Sequence, residues 1–204
     1  MHKSIKFFGA IQPYTVLLAG SHLNDDSFER LATLVEARTV LSLLTKERSQ
    51  DFERLMPKWA HAISSLPIIA TPDDVFEASE SGWKDVEQLL GLFEASMPAV
   101  TYRSASDRKR IQYVLARATQ VADRKIRNDL RMSDLLAPGR GRRDDVDHIL
   151  ALSRTSDPAW KDLVSDDLVD SLGNLVLLHA SDNRSVQASP PLDKEAVYAH
   201  SQYL

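Results

Sequence analysis

Leu172-Gly173-Asn174-Leu175-Val176-Leu177-Leu178 is the stretch on which the fold turns. It is a short apolar run bounded by polar residues, and it reads as a β-strand. Upstream, Val146-Asp147-His148-Ile149-Leu150 is equally short and β-prone. Two strands are therefore predicted, joined by an ordered excursion that contains Trp160. After Leu178, Asp182 and Asn183 open a short helix, and Pro190-Pro191 precede a final helix carrying Lys194 and Tyr198.

Working back toward the N-terminus, the pattern changes to helical. Phe28, Leu31, Leu34 and Val35, then Leu41 and Leu44, recur at helical spacing, as do Phe52, Leu55, Trp59 and Ile63, with Pro67 closing the second run. Thr71-Pro72-Asp73-Asp74 combines a capping residue, a proline suited to the first helical position, and acids against the positive end of the macrodipole. Trp83, Val86, Leu90 and Phe93 extend that helix or form another, and Pro98 breaks the pattern. From about Ser106 a long amphipathic helix is predicted, with Ile111, Leu115, Ala118, Ala122 and Ile126 on its apolar stripe. Ala137 to Arg143, reading APGRGRR, is the clearest boundary. The expected organisation is a helical domain over 1–136, a basic linker over 137–143 and a small module over 144–204. The fold class is mainly α.

The chain has 204 residues, 43% of them hydrophobic and none of them cysteine. This length suffices for a substantial core. Disulfides and thiol catalysis are excluded, so any metal must rest on oxygen and imidazole ligands. No run of about 18 apolar residues and no signal-peptide pattern occurs, so a cytoplasmic protein without membrane insertion is expected.

The net charge of -4 conceals an asymmetry. Residues 1–102 carry 9 basic and 14 acidic side chains, residues 103–143 carry 12 and 4, and residues 144–204 carry 4 and 11. A basic block thus precedes an acidic one, which suits phosphate followed by metal and equally suits solvated helix faces. Arg103, Arg110, Arg117, Arg124 and Arg131 recur every seventh residue, so those within the helix share one flank. Such a row could line a phosphate backbone, and solvent-facing arginines would space themselves in the same way. Arg140, Arg142 and Arg143, just before the first strand, either reach flanking phosphates or belong to a solvated linker.

Hydrolysis of a phosphodiester needs a base for water, a divalent cation for the developing charge, and a scaffold. Imidazole titrates near neutrality, which makes His148 the candidate base. Asn183 offers an amide oxygen suited to magnesium or manganese. Asp147 points away from His148 if the segment is a regular strand, or swings toward a common centre at a strand end. Asn174 can bond across to backbone groups and so aim His148.

Taken in order, Asp147-His148-Ile149, Gly173-Asn174-Leu175-Val176-Leu177-Leu178, Asn183 and Lys194 resemble the C-terminal nuclease domain of GmrSD-type restriction enzymes and of the related phage-defence nuclease SspE. That domain is of the HNH, or His-Me finger, superfamily. The resemblance covers residues 147 to about 201 and implies a ββα-metal module. It implies His148 as general base, Asn174 as loop-orienting residue, Asp147 and Asn183 as ligands of one magnesium or manganese ion, and Lys194 as either a phosphate contact or a support behind the site residues. It also implies DNA as substrate, in a bacterial restriction or phage-defence setting, and nicking as the outcome at a single site. Arg117, Arg124 and the three linker arginines are the expected DNA contacts. Proteins of this kind normally begin with a ParB-like nucleotidase domain bearing Asp-Gly-x-x-Arg. That motif is missing here, so the chain is expected to be a C-terminal fragment or a split subunit. Ala151 also stands where relatives often have proline, which leaves the end of the first strand open. The competing readings are a DNA-binding module that keeps the nuclease fold without activity, and a helical protein-interaction domain.

Overall fold

The computed structural model describes residues 2–83, 86–126, 130–136, 144–160 and 165–201. It is mainly helical with one small sheet, as expected, and it divides into two compact units, Met1–Met97 and Pro98–Leu204. Among the described residues no helix is long and apolar enough to cross a membrane.

In the first unit, helices α1 (His2–Phe8), α2 (Pro13–Ala19), α3 (Asp25–Leu44), α4 (Ser49–Ser64), α5 (Pro72–Ser79) and α6 (Val86–Ser96) follow in order. The two runs singled out by their spacing become α3 and α4. Their apolar faces bury Leu31, Leu34, Val35, Phe52, Trp59 and Ile63 in one core with Val16 and Val75. Thr71 forms a reciprocal capping box with Asp74 at the start of α5, satisfying donors that the first helical turn leaves open. Gly82 lies so close to the Trp59 ring that a β-carbon there would come within 2.4 Å of it, which leaves no room for any other residue. Its carbonyl accepts from Arg38 Nε, and the fully buried Arg38 guanidinium is offset by Glu47 at 2.8 Å.

The second unit holds α7 (Ala105–Ile126), α8 (Met132–Leu135), β1 (Asp144–His148), α9 (Asp166–Val169), β2 (Leu175–His179), α10 (Ala180–Val186) and α11 (Pro191–His200). It therefore starts at Pro98 rather than at residue 144, because α7 packs on β2 and belongs with the sheet. The expected linker, 137–143, lies outside the described residues, and Arg140, Arg142 and Arg143 with it. Strands β1 and β2 pair antiparallel, from Asp144 opposite His179 to His148 opposite Leu175, and α10 packs against both.

Two strand limits differ from the sequence reading. β1 begins two residues earlier and ends at His148, because the backbone of Leu150 turns away to the Asn174 side chain. Leu172–Asn174 forms a 3-10 turn, so β2 begins only at Leu175. The buried line of α7 also differs. It runs through Asp107, Ile111, Tyr113, Ala116, Gln120 and Asp123, whereas Ala118 and Ala122 are exposed. Local polar partners explain the rotation. Asp107 pairs with Arg110, and Gln120 and Asp123 clasp the carbonyl and the amide of Leu130.

Candidate active site

The end of β1 is fixed from the opposite strand. Asn174 Oδ1 accepts from the Leu150 amide at 2.9 Å, while its Nδ2 donates to the carbonyls of Leu150 at 2.9 Å and Val169 at 2.8 Å. The Asn174 carbonyl takes the Ile149 amide at 2.9 Å. One side chain thus staples both ends of the excursion that separates the strands. Only an amide has both the acceptor and the two donors for this. The chain immediately after His148 is tied down as a result.

Consecutive strand residues project to opposite faces, and Asp147 and His148 obey that rule. Asp147 is 6% exposed and faces α11, where Lys194 Nζ donates to its two oxygens at 2.8 and 3.1 Å. The same ammonium donates to the His148 carbonyl at 2.6 Å, and Tyr198 Oη donates to Asp147 at 2.7 Å. Lys194 and Tyr198 reach one carboxylate together because residues four apart share a helix face. Burial and the adjacent Asp147 carboxylate push the Tyr198 phenol far above its usual range, so it remains a donor. Lys194 is fully buried, so of its two implied roles the phosphate contact is closed to it and the supporting one remains. The Asp147 carboxylate differs from the expectation: it is closed by hydrogen bonds rather than opened toward Asn183.

His148 faces the other way. Its Nε2 lies 2.9 Å from Asp170 Oδ1, and the other Asp170 oxygen accepts from Arg103 Nε at 2.5 Å. Burial alone would raise the Asp170 pKa, but the hydrogen bonds from His148 and Arg103 outweigh it and hold the group below the usual carboxylate value. Asp170 is therefore an anion at neutral pH. With an anionic partner, Nε2 is assigned the proton and Nδ1 the free lone pair. The Tyr102 ring packs edge-on against the imidazole, centroids 5.3 Å apart, and its backbone amide donates to the Asp170 carbonyl.

Tyr102 also borders a crevice of about 320 Å³, lined further by Arg108, Lys109 and Gln112 of α7, Asp145 and Val146 of β1, and Asn183 of α10. The structure thus brings His148 and Asn174 together and sets Asn183 at a crevice that shares the Tyr102 wall with His148. Among the described residues no three His, Cys, Asp or Glu side chains form a metal cage. His179, which sequence order places near this region, is engaged elsewhere, with its Nδ1 paired to Ser181 Oγ at 2.7 Å at the start of α10. Of the row of arginines, Arg117 is engaged by Gln120 and Arg124 is exposed on α7.

Sequence reasoning missed Asp170, Tyr102 and Asp145. Asp170 carried a weak signal, as an acid just ahead of the Gly-Asn turn on which the second strand begins. Tyr102 carried none, since only the packing of α7 on β2 brings it to the histidine.

Residues 92–204 match the sequence profile of a family described as "GmrSD restriction endonucleases, C-terminal domain". The matched stretch nearly coincides with the second compact unit. Neither the curated proteins nor the solved structures contain a match to the chain.

Proposed function

Because the chain belongs to the family of GmrSD restriction endonuclease C-terminal domains, through residues 92–204, we propose that it is a divalent-metal-dependent DNA endonuclease of the HNH type. The observation that carries this reading is the pair of His148 and an ionised Asp170, 2.9 Å apart, beside a crevice with two cationic side chains. The two strands and α10 are the parts that a ββα-metal module requires.

In this reading, His148 Nδ1 accepts a proton from water while Nε2 keeps its own proton in the bond to Asp170. The water oxygen bonds to phosphorus as the bond from phosphorus to the leaving ester oxygen breaks; that oxygen takes a proton from solvent water, giving a phosphate monoester and a free hydroxyl, and His148 returns its proton to solvent. Asp170 prevents the ring from turning, and Arg103 holds the carboxylate that does so. Asn174 fixes the turn after His148. Lys194 and Asp147 brace the histidine backbone from α11.

A magnesium or manganese ion, when bound, would offset the charge that develops on the phosphate and the leaving oxygen. The residues whose oxygens suit a hard, largely hydrated cation are Asn183 and Asp145, both of which line the same crevice. The buried pair with Lys194 makes Asp147 a brace. One such site cuts one strand per encounter, so nicking is the expected product, and a double-strand break requires two sites. Exposed Arg124 extends the positive surface along α7.

Conversion of supercoiled plasmid to open circle in magnesium or manganese tests the reading. Wild type nicks and His148→Ala does not, while both shift DNA in a gel. A His148→Ala protein that cleaves at the wild-type rate removes His148 from the mechanism, and a wild type that binds without nicking is a DNA-binding module.

A further inference from the structure

Resting on the reading of His148 as a hydrolytic centre for DNA, we infer that the crevice beside it seats a backbone phosphate flanking the one that is cut, with Arg108 and Lys109 as its cationic wall. Neither residue belongs to the arginine row that the sequence displays. Within that row, Arg103 is tied to Asp170, Arg110 to Asp107 and Arg117 to Gln120. Three of the five arginines of the row thus have internal partners, and the cations that line the crevice come from the adjoining flank.

Three features make this a binding site rather than a stretch of charged surface. Arg108 is held in place: its Nε donates to the Tyr102 carbonyl at 3.0 Å and its guanidinium lies 5.5 Å from the Tyr102 ring centroid. Among the described residues its terminal nitrogens meet no acceptor, and theirs is the side that bonds oxyanions best. The same Tyr102 ring touches His148, which joins this wall to the candidate base without an intervening element. The volume, about 320 Å³, is at the lower end of small-ligand sites and suits one sugar-phosphate unit rather than a stacked base pair.

The crevice also has a sign. Two cations face one carboxylate, Asp145, and two amides, Gln112 and Asn183. A phosphate is therefore attracted by the α7 side and repelled by the β1 side when no metal is present. Neutralising either side changes affinity in opposite directions.

The test uses the full chain carrying His148→Ala, a labelled DNA duplex of about 20 base pairs, EDTA throughout, and fluorescence anisotropy from 50 to 300 mM NaCl. Each lost phosphate contact lowers the slope of log K against log salt by about 0.9. Arg108→Gln and Lys109→Gln are each expected to lose about that much, and the double variant about 1.8. Asp145→Asn is expected to tighten binding. Lys58→Gln, an exposed charge in the first unit, leaves the slope unchanged. Both α7 positions are exposed, and unchanged thermal melts confirm that the variants fold. Inorganic phosphate or a mononucleotide that competes as well as DNA of equal phosphate concentration would reassign the site to small phosphates and overturn the inference. So would wild-type slopes in Arg108→Gln and Lys109→Gln, or an equal fall in Lys58→Gln. If wild type nicks plasmid in a His148-dependent way while these slopes stay unchanged, the phosphate seat alone falls. If wild type does not nick, the nuclease reading falls first and the seat with it.

Discussion

Replacing Lys194 by methionine keeps much of the side-chain volume and removes a buried ammonium with three hydrogen bonds. Among the described residues Asp147, 6% exposed, is left with the Tyr198 hydroxyl, and the His148 carbonyl loses the donor at 2.6 Å. Removing one member of a buried ion pair typically costs about 3–5 kcal/mol, because the remaining charge is uncompensated. For a unit of this size about 1 kcal/mol corresponds to ~4 °C in Tm, so the expected fall is roughly 12–20 °C. Hydrogen exchange at the β1 and β2 amides reads the loss in the second unit directly, alongside a thermal melt. Combining Lys194→Met with Asp147→Leu removes the stranded charge as well. Stability is then expected to return to within about 1 kcal/mol of wild type, or above it. Nicking should not return with it, since nothing then holds the His148 carbonyl. A single variant that melts within about 3 °C of wild type, or a double variant no better than the single, refutes the reasoning.

Asp170→Asn keeps the shape but removes the anion that receives Nε2–H. Nicking is expected to drop at least about a hundredfold at unchanged DNA affinity, the lower bound of general-base effects. The depressed pKa of Asp170 fixes a sign. Its stabilisation is present above the unfolded carboxylate value of about 3.9 and is lost as pH falls through the lower folded value. Urea midpoints between pH 2 and 5 should accordingly converge for wild type and variant on the acid side. Tyr198 has the opposite sign, because its folded pKa is raised. Its contribution is full below the phenol value of about 10 and is lost at higher pH. In the folded protein, the 295 nm absorbance of Tyr198→Phe should match that of wild type up to about pH 11; a smaller rise in the variant below that pH would contradict the buried hydrogen bond. Asn174→Asp turns a donor into an oxyanion facing the carbonyls of Leu150 and Val169. A loss of about 2–3 kcal/mol is expected by urea unfolding, with nicking abolished; a variant as stable as wild type would mean that the staple contributes nothing.

Local signals were legible in the sequence wherever the cause is local. The α5 cap, the two long helices of the first unit and the strand pair follow from spacing and turn chemistry that a few neighbouring residues decide. His148 and Asn174 are singled out by the resemblance to the nuclease family, since an imidazole at a strand end or an amide on a Gly-Asn turn is by itself more often structural. The pairing of Asp147 with Lys194 was not legible, since their residue types suit a metal and a phosphate just as well as they suit each other. Which of these holds depends on α11 folding back over β1, a contact 47 residues apart in sequence. The stripe assigned to α7 holds at Ile111 and fails at Ala118 and Ala122 for a similar reason. Ala118 and Ala122 are apolar but small, and the polar groups of Gln120 and Asp123 gain more from clasping the Leu130 backbone than two alanines gain from burial.

The bracing of His148 by Lys194 has a temporal side. The two residues are 46 positions apart, and the brace is made after the strand it supports. At translation rates of ~5–20 residues per second, the ribosome needs roughly 2–9 s to pass from one to the other. Throughout that interval the histidine lacks the brace that α11 supplies. On the proposed role of His148, a cell making such a protein is expected to meet its chemistry only after α11 has docked.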